Sequence, residues 1–306
     1  MNRPRGAGFG TRLALPAFAK INLSLELVGP RADGYWEIRT VYQTVALHDR
    51  LRMRLTRAGG GIDVRVPGGG APAGRGNLVH RILARARRAL GVRRGIEVEL
   101  EKNIPAGRGL GGGSSDAAAA VIGLLRLTGL QLPQTELFRL GAAVGADVPF
   151  FFLGGRALGV GRGDEVFALD DRSPGWCVLL CPPCEVSTRA AYAGARRLTP
   201  RRRPARIVGS RPSGDRLWGG NDFEPVIFPR FPELARMKAA LLAAGAQQAG
   251  LSGSGSTVYG LFEKRATAAA AAARWASAAA SFVVATLPRS AYQRALGAGR
   301  WRGQAA

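Results

Sequence analysis

The chain has 306 residues, enough to bury a sizeable core and to form one large or two ordinary domains. Hydrophobic content of 46% with a mean hydropathy near zero excludes a disordered chain, and no apolar run approaches the ~20 residues of a membrane span. A net charge of +23 raises nucleic-acid binding as a reading, but only four of the 44 basic residues are Lys, and an excess of Arg, Ala and Gly also follows from a GC-rich coding bias.

Met1 to Arg12 is basic, Gly-rich and unpatterned, which predicts a disordered tail. The apolar run from Leu13 to Ala19 is too short for a signal peptide and ends at Lys20 in a strand-like pattern, so the reading is cytoplasmic. Strands are predicted over 14–28 and 37–47, joined by the turn Gly29-Pro30-Arg31-Ala32-Asp33-Gly34, and again over 51–56 and 62–66. Asn77 can cap a helix whose Leu78, Ile82, Leu83, Ala86 and Leu90 form one apolar stripe.

A strand then alternates through Ile96, Val98 and Leu100 and leads into Lys102-Asn103-Ile104-Pro105-Ala106-Gly107-Arg108-Gly109-Leu110-Gly111-Gly112-Gly113-Ser114-Ser115-Asp116. An Ala- and Leu-rich helix follows, with Ser114 or Ser115 as its cap. Backbone N–H groups of such a loop, added to those of the helix's first turn and its positive dipole end, make an anion site best suited to phosphate. A Rossmann site would need an acidic residue about 20 positions on, and a Walker A loop would end in Gly-Lys-Ser/Thr; both are missing here. The plainer alternative is a surface turn, since Gly runs recur at Gly59 and Gly68, but those do not join a strand to a helix.

A helix is predicted over 134–144. After it Asp147 stands before Phe150, Phe151 and Phe152, either as a partly desolvated functional carboxylate or as a cap ahead of a buried segment. Residues 170–175 read as a connector. The second half offers strand 176–181, helices 187–197 and 232–244, strands 247–251 and 257–262, helix 265–279 and strand 282–287, a split β-α-β pattern with an extra helix. Cys177, Cys181 and Cys184 have no fourth ligand within reach in the sequence, and buried thiols are preferred to a zinc site. The Arg- and Pro-rich run after Arg196 reads as an exposed loop. The run Ser252-Gly253-Ser254-Gly255 is either a second phosphate contact or a β-turn.

Together, Pro16-Ala17-Phe18-Ala19-Lys20-Ile21-Asn22-Leu23, the Pro105 to Ser115 loop with Asp116-Ala117-Ala118, and Leu251 to Gly255 resemble the GHMP kinases over nearly the whole chain. Ala32-Asp33-Gly34-Tyr35, Ala146-Asp147-Val148-Pro149, Val186-Ser187-Thr188 and Asn221-Asp222-Phe223-Glu224-Pro225 are similar to members that phosphorylate a cytidyl diphosphate methylerythritol in the non-mevalonate isoprenoid pathway. The resemblance implies a two-domain α+β fold. Its N-terminal domain, ribosomal-S5-domain-2-like, would span 13–169, and a ferredoxin-like domain 170–292, with tails at 1–12 and 293–306 and an exposed loop at 196–216.

The resemblance also implies ATP with Mg²⁺, the ion held through the phosphates with Ser115 as the one protein hydroxyl considered and no dedicated metal ligands. Asp147 would accept the hydroxyl proton and Lys20 would keep Asp147 ionised. Pro105 to Ser115 and Ser252 to Gly255 would wrap the phosphates. Asn22, Tyr35, Trp36 and Thr188 would face the small-molecule substrate. Trp36 stands where these relatives usually carry a base-recognising His, which keeps a kinase for another small alcohol as an alternative. A basic RNA-binding protein is the reading from another class, although no RNP-type aromatic motif supports it. No membrane partner is implied, and a homodimer is compatible with the chain.

Overall fold

Two long strands, β1 (Arg12–Pro30) and β2 (Trp36–Ala58), pair antiparallel along almost their whole length in the computed structural model, which describes residues 12–173, 175–198 and 220–297. The pairings expected as separate strands over 37–47 and 51–56 are one continuous element. His48, Asp49 and Arg50 continue the ladder because β1 still faces them. The remaining elements of the first half are β3 (Ile62–Arg65), α1 (Leu78–Ala89), β4 (Arg94–Glu101), α2 (Gly112–Thr128), α3 (Gln134–Ala142), α4 (Val148–Leu153), β5 (Arg156–Val160) and β6 (Glu165–Ala168). Asn77 caps α1 as its sequence position predicts, accepting the Val79 N–H at 2.8 Å.

The second half contributes β7 (Trp176–Cys181), α5 (Thr188–Leu198), β8 (Gly220–Asn221), α6 (Glu224–Ile227), α7 (Pro232–Ala243), β9 (Gln248–Leu251), β10 (Val258–Phe262), α8 (Arg265–Ala273), β11 (Ala280–Ala285) and α9 (Arg289–Ala295). Helices α6 and α9 are additions to the sequence reading. Short elements rich in Pro or Arg carry too little periodicity to be read. α9 takes in residues 293–295, which had been assigned to a tail. α8 stops six residues short of its predicted end, and β11 begins two residues earlier than expected. Arg12, expected in the tail over 1–12, is the first residue of β1 and pairs with Arg54, and 196–198, expected in the exposed loop over 196–216, close α5; the rest of that tail, the rest of that loop and the stretch 298–306 lie outside the described residues.

The first sheet runs β3-β4-β2-β1-β8, with β5 on β2 and β6 on β5; the second runs β11-β7-β10-β9, all antiparallel. With helices between β7 and β9 and between β10 and β11, the second sheet has the split β-α-β topology. Three cores follow. α2 is apolar on every side and is buried between the first sheet and α1, α3 and α4, as an all-round hydrophobic helix must be. A second core lies under α5, α7 and α8 and takes in Trp36 and Ile38 from the start of β2. The third joins the sheets face to face, Ile21, Val41 and Val45 meeting Cys177, Leu179 and Tyr259. Cys177 and Cys181 are buried and Cys184 half-buried, all three free, and burial pushes each thiol up from its ordinary range.

Candidate active site

The antiparallel register of β1 on β2 sets Lys20 beside Thr44 and Asn22 beside Tyr42, so alternate side chains from both strands reach one cavity of about 820 Å³. Lys20 is buried. Its Nζ lies 3.3 Å from Asp147 Oδ2 and donates to Asn22 Oδ1 at 2.7 Å. Asn22 Nδ2 donates to Thr40 Oγ1 at 2.7 Å, and the Thr40 hydroxyl donates to the Ser24 carbonyl at 2.6 Å. Both ends of the Asn22 amide are thus engaged within the protein. Asn22 lines the cavity, but its polar atoms orient Lys20.

Asp147 sits just before α4 without capping it; its side chain is 31% exposed and points at the ion pair. Its other oxygen, Oδ1, accepts from Tyr42 Oη at 3.1 Å. Burial, and then the Asp147 charge, push the Tyr42 phenol well above its ordinary range, so it stays a donor. Tyr42 was not legible as a site residue. Its only signal is that it shares the β2 face that meets Lys20.

The glycine loop arches over this pair. α2 starts at Gly112, ahead of the predicted Ser114 or Ser115, because Gly111 adopts a left-handed φ of 71° and turns the chain directly into the helix. The first ladder bond is Ser115 N–H to Gly111 C=O at 2.9 Å, so the amides of Gly112, Gly113 and Ser114 precede it. Loop residues 105–114 line a second cavity of about 430 Å³, walled on its other side by Ala71, Pro72, Asn77 and Leu78. Gly109 and Ser114 line both cavities, so the two meet there, next to Lys20 and Asp147. Ser115 is buried with its Oγ unpartnered among the described residues, so the hydroxyl offered to the cavities is that of Ser114 instead.

The loop from 251 to 256 closes the arch from the second half. A Cβ at Gly109 would stand 2.0 Å from the Ser252 carbonyl, and Ser252 Oγ donates to the Gly109 carbonyl at 2.9 Å, so Ser252 holds the loop while Gly253 and Ser254 line the larger cavity. Asn221 Nδ2 fixes this segment through the carbonyls of Leu251 at 2.8 Å and Gly253 at 2.7 Å. Arg108 points neither outward nor at a phosphate site; its guanidinium donates to the carbonyls of Cys184 and Pro183 and to Ser256 Oγ.

The far wall of the larger cavity is aromatic. Tyr35 is exposed, with the Arg162 guanidinium 5.0 Å from its ring centroid. Trp36 is buried against Tyr192, and its buried Nε1 has no partner among the described residues. Tyr192 stands edge-on to Phe223 and is pushed up to about 12 by burial and by Asp147. Thr188 and Ser254 share a hydrogen bond of 2.9 Å at the rim. Arg162, Tyr192 and Phe223 were not read as site residues; their roles depend on contacts between distant segments.

A second Lys–Asp group lies under the glycine loop. Lys102 Nζ bridges Asp49 and Asp116, the latter at 2.7 Å, while Asp49 Oδ1 accepts the N–H groups of Asn103 at 2.5 Å and Ile104 at 2.8 Å. Burial pushes the Asp116 carboxyl up to about 8 against the pull of Lys102. Among the described residues there is no cluster of three or more His, Cys, Asp or Glu that could hold a metal, and no helix long and apolar enough to cross a membrane.

Comparisons with known proteins agree with this geometry. The family model of the GHMP kinases N terminal domain matches residues 77–155, and that of the GHMP kinases C terminal domain matches residues 213–281. The 4-diphosphocytidyl-2-C-methyl-D-erythritol kinase of Pelotomaculum thermopropionicum is 42% identical over 265 residues, which cover 85% of this chain and 92% of that protein. A crystal structure of 4-(cytidine 5'-diphospho)-2C-methyl-D-erythritol kinase superposes with a TM-score of 0.75 at 33% identity, covering 90% of this chain and 99% of the other. A homoserine kinase from Cytophaga hutchinsonii shares the fold, with a TM-score of 0.67 at 20% identity and coverage of 94% and 98%. The chain belongs to the GHMP kinase family and is a kinase of two-domain α+β fold.

Proposed function

We propose that the chain transfers the γ-phosphoryl group of ATP to the 2-hydroxyl of 4-diphosphocytidyl-2-C-methyl-D-erythritol, in the non-mevalonate route to isoprenoids. One observation carries this reading: the Lys20–Asp147 pair stands where a glycine-lined cavity meets a larger, aromatic-walled one. Phosphoryl transfer requires an oriented hydroxyl, neutralised charge and little covalent help. The relatives that cover most of the chain supply the substrate's name.

The smaller cavity fits a nucleoside triphosphate. Its floor is uncovered backbone at a helix N-terminus, and its far side is apolar at Ala71, Pro72 and Leu78. Loop residues 105–114 and Gly253–Ser254 would hold the phosphates. Mg²⁺, when bound with the phosphates, would offset their charge, with Ser114 as the nearest hydroxyl in the loop. In the larger cavity Asp147 accepts the proton of the acceptor hydroxyl, with Tyr42 fixing the orientation of its carboxylate. Lys20, held by Asn22, stabilises the negative charge that develops between acceptor and phosphate.

For the base, Tyr35 and Tyr192 offer ring faces, while Trp36, buried beside Tyr192 with its N–H closed off from the cavity, supplies an apolar wall. Recognition of the base would then rest on stacking rather than on a hydrogen bond at position 36. The purified protein with Mg-ATP should release ADP with the cytidyl alcohol, and not with homoserine or mevalonate. ADP release with one of those alcohols alone would instead favour a kinase of other specificity, and salt-sensitive RNA binding without kinase activity would sink the proposal.

A further inference from the structure

Arg108 is the one charged side chain between Lys102 and Asp116, and it binds the other half of the molecule. Nη1 donates to the Cys184 carbonyl and to Ser256 Oγ at 3.1 Å, and Nη2 donates to the Pro183 carbonyl at 3.1 Å. Its own carbonyl accepts the Thr257 N–H at 3.3 Å. Arg108 therefore grips two separate segments, the turn after β7 and the loop between β9 and β10.

The turn after β7 runs through the buried Val186 to Thr188, the first residue of α5 and part of the larger cavity's rim. Thr188 is hydrogen-bonded to Ser254, and Ser252 in the same loop bonds back to Gly109. These links close a ring: glycine loop, Arg108, turn 183–184, Thr188, Ser254, and the glycine loop again. A planar guanidinium suits this post, because its forked donors meet two successive carbonyls and a hydroxyl at once, whereas an ammonium is a single point of attachment. A side chain of this length placed only for solubility would not be held at three acceptors.

We propose that Arg108 is a positioning residue that locks the nucleotide loop to the wall of the acceptor cavity and so couples binding in the two cavities. This rests on the reading that the loop holds ATP and the larger cavity holds the alcohol. The physical reason is that a loop of five glycines has many alternative backbone states, and each tie to a rigid wall removes some of them before ligand arrives.

The test compares wild type with Arg108→Ala and Arg108→Lys. Hydrogen exchange over residues 105–115 and 183–188 reports the lock itself, and calorimetry measures a non-hydrolysable ATP analogue with and without the cytidyl alcohol. Arg108→Ala should speed exchange in both segments, weaken the analogue by about tenfold, and bring the ratio of its affinities with and without alcohol toward one. Its melting temperature should stay within a few degrees of wild type, and Arg108→Lys should recover part of the affinity. Unchanged exchange and unchanged analogue affinity in Arg108→Ala overturn the proposal. So does a loss that tracks the fall in melting temperature and is not relieved by Lys. Should wild type bind the analogue but not phosphorylate the cytidyl alcohol, the functional reading fails while exchange and analogue affinity still decide the lock.

Discussion

Two of the four lysines pair with aspartates on either side of the same loop, and the pairs are built differently. Lys102 is enclosed by Asp49 and Asp116, with Asp49 itself saturated by two backbone N–H groups. Lys20 meets one carboxylate at 3.3 Å, and that carboxylate is partly open to the cavity. The sealed cluster joins β2, the end of β4 and α2, and fixes where the glycine loop departs. The open pair keeps spare hydrogen-bonding capacity for a ligand. The lesson is that burial alone does not mark a reactive group; access together with an unsaturated partner does.

The contrast can be broken at the open pair first. Lys20→Ala or Asp147→Asn should lower kcat by about a thousandfold with the fold intact. Steady-state ADP release checks this, and near-wild-type turnover in both variants would end the assignment. At the sealed cluster the effect should fall on stability instead. Asp49→Ala takes one of the two carboxylates from Lys102 and strands two amides, so denaturant unfolding should register a loss of about 3–5 kcal/mol; a loss below 1 kcal/mol would contradict the sealed picture.

Smaller effects sharpen the distinction. Tyr42→Phe removes one hydrogen bond to Asp147 and should reduce kcat by about tenfold, leaving the KM for ATP in place. An unaltered kcat would show that Asp147 is oriented without it. Trp36→Phe removes the five-membered ring of the indole with its buried N–H, so the KM for the cytidyl alcohol should rise only about twofold at constant kcat. A rise beyond about fivefold would show that the N–H reaches the base.

The smallest effect is a pH slope. Burial pushes the folded Asp116 carboxyl up to about 8, from the ordinary ~3.9 of an unfolded chain. Between those values the folded state holds a proton that the unfolded state has lost, so this group's stabilisation is present at low pH and declines as pH rises toward 8. Asp116→Asn should flatten that decline in unfolding curves taken from pH 5 to 8, and an unchanged slope would refute the linkage.

Much of the fold was legible because its signals are local. Alternation marked β4, strand-like apolar runs marked β1 and β7, Asn77 announced α1, and the apolar composition of the segment after Ser115 announced α2. The start of α2 was misplaced because a left-handed glycine, which has no side-chain signature, did the work expected of serine. Helix α9 was hidden for a different reason: its anchor is one buried residue, Tyr292, whose hydroxyl reaches the Phe151 carbonyl. At the site, Lys20, Asp147 and the glycine loop were read individually. Tyr42 lies 105 positions from Asp147, and no spacing rule announces such a contact; it arises where β2, paired with β5, meets the segment before α4. Arg108 was likewise visible as an oddity, while two of its three acceptors are carbonyls, which every residue has.

Strand β8 has a consequence for recombining parts of this protein. Two residues of the second half, Gly220 and Asn221, lie parallel to Ser24 and Leu25 at the edge of the first sheet, Thr286 bridges to Val45, and α9 returns Tyr292 to the first core. A gene cut within the 170–175 connector would yield a first fragment with a bare sheet edge and a hole behind α4. Chimeras made by exchanging C-terminal halves among relatives would therefore have to bring β8 and α9 in matched form, and the unit of inheritance is the whole interleaved chain rather than either lobe.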